Sequence, residues 1–262
     1  MKKHGFTLVE MSIVLVIMGL LVGGILTGQN LVKAAELRAV SNEFNQWQSA
    51  VQLFKEKYSA LPGDITNATS YWGRADNGTF TGQCAAPNTD LGTGTQTCNG
   101  DGDGRVSYNH SVQTYGIFRF WQHLANAGLI EGSYTGRKGG GDSWDTTFGT
   151  NAPRSKLSNA GWIIMQYTSY PGSCCGRYVI DYGNYYHVGG AATGTWPGGY
   201  PFTPEMAWNV DMKIDDGKPG TGNVVIENWD FCTLAATNAD TAAAYDLSNT
   251  AYVCRLIFPK AF

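Results

Sequence analysis

The stretch Gly5-Phe6-Thr7-Leu8-Val9-Glu10-Met11-Ser12-Ile13-Val14-Leu15-Val16-Ile17-Met18-Gly19-Leu20-Leu21-Val22-Gly23-Gly24-Ile25-Leu26 decides the fold. Only Glu10 is charged between Phe6 and Leu26, and Lys2 and Lys3 precede the run. About 20 such residues cross a ~30 Å hydrocarbon core as a helix. Basic residues on the leading side place that side in the cytoplasm and the rest of the chain outside it. A carboxylate in such a helix costs roughly 2.5–3.5 kcal/mol on insertion scales, so it calls for a partner or a function. The plain alternative is a position at the membrane interface, complementing the positive end of the helix.

A short basic leader ends in glycine, and an apolar helix with glutamate in its first turn follows. The junction Gly5-Phe6-Thr7-Leu8-Val9-Glu10 resembles the processing site of type IV pilins and type II secretion pseudopilins. The resemblance implies that prepilin peptidase cuts after Gly5 and that the new N-terminal Phe6 is methylated. It implies that Glu10 then pairs with the α-amine of a neighbouring subunit. Two groups that are each costly in an apolar medium neutralise one another when subunits stack in one register. The implied partners are other pilin or pseudopilin subunits, prepilin peptidase, the inner-membrane assembly machinery and membrane lipid. The implied location is a single pass of the inner membrane with the globular domain extracytoplasmic, then a surface filament or a periplasmic pseudopilus. An ordinary secretory signal cleaved near Val32-Lys33-Ala34 is the competing reading, but the apolar run is longer than such signals use.

Beyond Leu26 the segment turns amphipathic without a stop. Leu37, Val40, Phe44, Trp47, Val51, Phe54 and Tyr58 recur at helical spacing, with polar Glu43, Gln46, Gln48 and Lys55 expected elsewhere on the helix. A continuous helix from Phe6 to about Tyr58 is ~80 Å long at 1.5 Å per residue. A coiled coil fits the spacing too, but the aromatic seam favours a spine packed on its own domain. Gly19/Gly23 and Gly24/Gly28 lie at the small-x-x-x-small spacing that allows close helix approach, and they weaken the helix locally. The domain reading is therefore leader 1–5, transmembrane and assembly helix 6–27, amphipathic helix 28–60 and extracytoplasmic globular domain 61–262.

The chain has 262 residues, a net charge of −3 and 15% charged residues, which gives no electrostatic case for nucleic acid as a partner. All six cysteines follow the apolar segment and none forms a Cys-x-x-Cys pair, so disulfides in an exported domain are expected. Cys84–Cys98 and Cys232–Cys254 each close a local loop. Cys174–Cys175 are left as a vicinal bridge or two free thiols, with the bridge favoured.

Leu61-Pro62-Gly63-Asp64 ends the spine, and Asp64 is placed to cap a short helix over 65–72. Residues 73–113 and 131–159 read as long polar loops. A helix is expected over 114–129, closed by Gly128, and a second over 204–211 behind the cap Thr203-Pro204-Glu205. Strand signals fall at 162–167, 177–182, 224–226 and 251–258, with a hairpin connection at Pro171-Gly172 between the first two. The fold class is α+β: a long N-terminal helical spine on an antiparallel sheet, with loops tied by disulfides and calcium.

Asn99-Gly100-Asp101-Gly102-Asp103-Gly104-Arg105-Val106-Ser107 matches the first nine positions of an EF-hand-type loop. Asn99, Asp101, Asp103 and Ser107 offer side-chain oxygens and Arg105 a backbone carbonyl to Ca²⁺, the one cofactor expected. The twelfth position is His110 rather than glutamate, so a carboxylate from elsewhere must complete the site or binding is weak. An Asp-Gly turn without metal is the alternative. A second acidic turn, Asp211, Asp215 and Asp216, reads as structural more readily than as another calcium site.

No phosphate-binding loop, His-Glu-x-x-His or Gly-x-Ser-x-Gly motif is present, and His110, His123 and His187 are scattered, so no enzymatic activity is expected. The aromatic residues Tyr182, Tyr185, Tyr186, Trp196 and Tyr200 either cover the sheet or form an adhesive face. The function read from the sequence is a structural subunit, a minor pilin or pseudopilin. A tip adhesin and a simple anchored binding domain are the alternatives.

Overall fold

A computed structural model describes residues 7–75, 94–106, 116–142, 144–167, 177–227 and 229–262. Helix α1 runs unbroken from Leu8 to Tyr58. It ends at Ser59, which adopts the left-handed conformation and returns its N–H to the Lys55 carbonyl. The chain then turns sharply. Gly63 has φ +81°, and a Cβ there would lie 2.5 Å from the Gly116 carbonyl oxygen, so only glycine fits.

The sequence seam of α1 is its buried face. Val40, Phe44, Trp47, Val51 and Phe54 are buried, and Leu37 and Tyr58 pack partly against the core. Glu43 departs from expectation. It is buried, not on the polar face, because three donors meet its carboxylate at 2.7 Å: Ser155 Oγ, the Lys156 N–H and Trp162 Nε1. A buried carboxylate is tolerated when its lone pairs are filled in this way.

Three short helices follow in the first half of the domain and beyond: α2 (Ala68–Trp72), α3 (Gly116–Asn126) and α4 (Pro204–Ile214). Helix α2 begins later than expected, behind Asn67 rather than Asp64. Helix α3 closes as expected at Gly128, whose φ is +72°. Helix α4 has Thr203 as its cap, accepting the Met206 N–H, and extends three residues past the expected end at 211.

The sheet comprises β1 (Ala160–Tyr167), β2 (Gly183–Gly190), β3 (Val225–Glu227) and β4 (Arg255–Phe258). Its order is β1-β2-β4-β3 with antiparallel neighbours throughout. The strand expected at 177–182 is not one. The second strand starts at Gly183, and Tyr178 and Tyr182 are instead buried packing residues ahead of it. The hairpin connection at Pro171-Gly172 lies outside the described residues. A four-residue helix, α5 (Trp229–Cys232), leads into the loop that the Cys232–Cys254 disulfide closes, as expected.

One sheet face receives α1. Phe44 stacks on Phe258 at 4.4 Å between ring centroids and meets Tyr186 edge-on at 6.1 Å. Trp47 lies edge-on to Trp121 and Trp162 at 5.4 and 6.4 Å. Fully burying such a ring stabilises the fold by ~2–3 kcal/mol. The N-terminal apolar run and the centre of the globular core therefore share one helix.

Candidate functional site

Among the described residues, the first half of α1 leaves its large apolar side chains open. Its large apolar residues from Leu8 to Val32 are all exposed, Leu8 at 86% and Leu20 at 72%. It is the one described helix long and apolar enough to cross a membrane. A soluble surface rarely exposes more than a few hundred Å² of contiguous apolar area, so this face requires a lipid or protein environment. Its polar groups are prepared for that environment. Ser12 and Thr27 donate their hydroxyls back to the carbonyls of Val9 and Gly23 at 2.8 and 3.0 Å. Backbone and side-chain polar groups in hydrocarbon must be satisfied within the segment in this way.

Glu10 sits in the first turn and forms a reciprocal capping box with Thr7. The Thr7 N–H and Thr7 hydroxyl each donate to one Glu10 carboxylate oxygen at 2.8 Å. The Glu10 N–H donates to Thr7 Oγ1 at 3.2 Å. This arrangement satisfies orphan donors of the first helical turn. The local partners supply hydrogen bonds but no countercharge, and no described residue forms an ion pair with Glu10. Gly5 and Phe6 lie outside the described residues. Gly19, Gly23, Gly24 and Gly28 have open space where a side chain would project.

Residues 1–26 match the family model described as the prokaryotic N-terminal methylation motif. The chain carries the signature of type IV pilins and pseudopilins. This pilin-type N-terminus precedes a spine-and-sheet fold that matches the pilin-like α+β class. The motif supports a pilin or pseudopilin precursor, and it implies processing by prepilin peptidase and assembly with other pilin subunits. The exposed half of α1 fits the membrane anchor of such a protein. Neither a curated protein nor a solved structure matches the chain.

The acidic loop of the globular domain folds around a carboxylate that the loop motif does not contain. Asp64 is buried, and its two oxygens accept the N–H groups of Gly102 and Gly104 at 2.7 and 2.9 Å. Gly100 lies so close to the Asp64 backbone that a side chain cannot be accommodated. Carboxylate oxygens of Asp64, Asp101 and Asp103 all lie within 4.8 Å of one another. Burial and the neighbouring Asp101 push Asp64 up to about 6. None of the described ion pairs involves these three groups. Asn99 turns its side-chain oxygen to the Thr69 N–H at 2.9 Å, and Asp103 accepts the Arg105 N–H at 2.9 Å. Ser107 and His110 lie outside the described residues.

The second acidic turn is heavily hydrogen-bonded. Asp211 is fully buried and accepts the Tyr245 hydroxyl at 2.6 Å and the Gly217 N–H at 3.1 Å, and burial pushes it up to about 7. Asp215 accepts the N–H groups of Asn223 and Val224, and Asp216 that of Lys218. Asp211 and Asp215 do stand one turn apart, on α4 and at its C-terminal cap.

A buried ionic cluster on the second sheet face escaped the sequence reading. Glu227 accepts Arg177 Nε at 2.7 Å, with His187 Nε2 at 2.8 Å and Arg255 Nε at 3.2 Å. Burial alone raises a carboxyl, but His187 and the two guanidiniums hold Glu227 down, to about 2. Burial lowers His187, against the opposing pull of Glu227. Trp196 stacks on His187 at 5.1 Å, and Tyr200 lies under Arg255 at 4.5 Å. Tyr182, Tyr185 and Tyr186 are fully buried, so of the aromatic run only Trp196 and Tyr200 reach the surface. The one signal in the sequence was a charged residue at each of two strand ends, Glu227 and Arg255, which are register partners.

His123 is also a packing group. Its Nδ1 accepts the Gly63 N–H at 2.9 Å, which leaves the proton on Nε2, 2.8 Å from the Thr97 hydroxyl. Burial and Arg119 push it down to about 3. Cys98 is disulfide-bonded. Cys84, Cys174 and Cys175 lie outside the described residues, and with them the proposed Cys84–Cys98 and Cys174–Cys175 pairs.

Proposed function

We propose that this protein is a minor subunit of a type IV pilus or a type II secretion pseudopilus. It is held in the inner membrane by the first half of α1 and polymerised through that helix after cleavage between Gly5 and Phe6. The observation that carries this reading is Glu10, the one charge between Phe6 and Leu26, within the methylation motif and on an apolar helix whose large side chains are exposed among the described residues. Assembly supplies the countercharge that Thr7 lacks: the α-amine of a neighbouring subunit. Catalysis has no part in this role. Export and folding of Glu10→Ala are expected to be normal while incorporation into filaments is lost. Normal incorporation of that variant contradicts the role.

Calcium belongs to the same reading as a tie between the end of the spine and the loop over 99–104. Asp64, Asp101 and Asp103 fit a hard cation, which takes six to eight oxygens and is held by clustered carboxylates. In this reading Asp64 supplies the carboxylate that the loop lacks at its twelfth position. A bound Ca²⁺ supplies the charge that three neighbouring carboxylates need. Asp211 is saturated by Tyr245 and Gly217, which favours a structural turn there.

A tip adhesin is the second reading. The surface-reaching Trp196 and Tyr200 and the loop closed by Cys232–Cys254, with Phe231 and Leu234 exposed at 58% and 65%, favour it. Immunogold labelling confined to filament tips supports it, and labelling along the shaft supports the structural-subunit reading.

A further inference from the structure

A groove of about 430 Å³ lies where the free part of α1 meets the base of the globular domain. Val32, Lys33 and Glu36 bound it on the helix, and Leu157, Pro201 and Tyr252 on the domain. It starts at Gly28, two residues past Leu26, and ends at Glu36. At 1.5 Å per residue it spans from ~3 to ~15 Å beyond the apolar run. The polar layer of a bilayer occupies roughly 5–8 Å on each side of the hydrocarbon core. Groove and headgroup layer therefore overlap whenever α1 is embedded to Leu26.

The lining suits that layer. Tyr252 is 59% exposed and Val32 61%, an aromatic and an aliphatic side chain open at interfacial depth. Tyrosine is enriched there because its ring is apolar and its hydroxyl wet. Lys33 is half-buried in the groove, and Lys156 is exposed beside Leu157. Glu36 is the one opposing charge in the lining, and Lys156 lies just outside it. A lysine stem lies along apolar surface while its ammonium reaches a phosphate.

We propose that this groove seats a phospholipid headgroup, with Lys33 on the phosphate and Tyr252 against the glycerol and upper acyl region. The base of the domain then rests on the bilayer in the stored subunit, and extraction into a filament must strip a lipid from it. The inference rests on the membrane-anchored reading above.

The test is backbone hydrogen exchange of the full chain in nanodiscs holding one copy each, compared with dodecyl maltoside micelles, which carry no phosphate. Discs of phosphatidylcholine with phosphatidylglycerol are expected to slow exchange over 28–36 and 250–253 by about fivefold relative to micelles, the contribution of one lysine near an anionic surface. Lys33→Glu is expected to remove most of that slowing, and Tyr252→Ser part of it. Both positions lie outside the buried core, so both variants fold. Unchanged exchange at these segments, with residues 8–26 protected in the discs, overturns the proposal. Slowing that requires two copies per disc also overturns it, by assigning the groove to a second subunit. Free exchange over residues 8–26 in the discs sinks the anchor reading and the proposal together.

Discussion

The two halves of α1 have the same secondary structure and opposite environments. From Leu8 to Val32 every large apolar side chain is exposed, whereas from Val40 to Phe54 the seam residues are buried. Helix propensity does not separate them; the location of their partners does. The second half finds its partners in its own chain, in Phe258, Tyr186 and Trp162. Among the described residues the first half keeps its large apolar side chains exposed, and in the proposed role lipid and other subunits cover them. The two buried or lone acids follow the same division. Glu43 has three donors from its own domain, and Glu10 has only Thr7. A helix can thus fold one domain and still be unfinished until it assembles.

The largest expected effect lies in assembly. Glu10→Ala is expected to reduce filament incorporation by two orders of magnitude or more, in line with the ~3–5 kcal/mol lost when one partner of a buried charge pair is removed. Its melting temperature in detergent should match that of the unaltered chain. A substantial melting shift would mean that the two halves are not independent. The converse contrast is Phe44→Ala against Leu15→Ala. Denaturant unfolding in detergent should show a loss of ~3–5 kcal/mol for Phe44→Ala, from a cavity beside Phe258. Leu15, 70% exposed, should lie within ~0.5 kcal/mol of no effect. Equal losses would erase the distinction between the halves.

Glu43→Gln sharpens the comparison further. It keeps the shape but presents an amide N–H₂ to donors that need an acceptor, and should cost ~2 kcal/mol in the same unfolding measurement. A neutral outcome would show that the buried carboxylate is incidental.

The calcium tie gives a smaller effect with a defined pH dependence. Asp64 is raised from 3.8 to about 6, so without metal the folded state loses stability as pH rises through that interval and stays penalised above it. Calcium relieves that penalty. EDTA should therefore lower the melting temperature at pH 7 and have progressively less effect as the pH falls below about 6. Asp101→Ala combined with Asp103→Ala should abolish the EDTA effect. Insensitivity of the unaltered chain at pH 7 would remove calcium from the account. The Glu227 cluster works in the opposite sense. Its carboxyl is depressed from 4.5 to about 2, so the stability it contributes is present above 4.5 and lost as pH falls toward 2. Glu227→Gln should flatten that acid limb of a melting-temperature profile.

Legibility of these features in the sequence followed their range. The spine could be read because its seam repeats every three or four residues, and periodicity is a local property. Thr203-Pro204-Glu205 and Gly128 could be read because caps act within one turn. Glu43 could not, because its donors sit 112 to 119 residues away in sequence. Its charge argued for the surface, and tertiary packing overrode it. Asp64 was misread for the same reason: as a local cap it served nothing, and its true partners are glycine N–H groups 38 and 40 residues on. The strand placed at 177–182 had suitable residues, but Tyr178 and Tyr182 are used as packing groups ahead of β2. At the N-terminus, by contrast, six consecutive residues carried the motif, and no long-range contact was needed to see it.

The central claim is that the exposed half of α1 is an assembly helix created by cleavage after Gly5. Intact mass and N-terminal fragment analysis of the protein purified from its native membrane tests it most directly. The expected chain begins with N-methylated Phe6. A chain that retains Met1, or one that begins near Ala35, would contradict that claim.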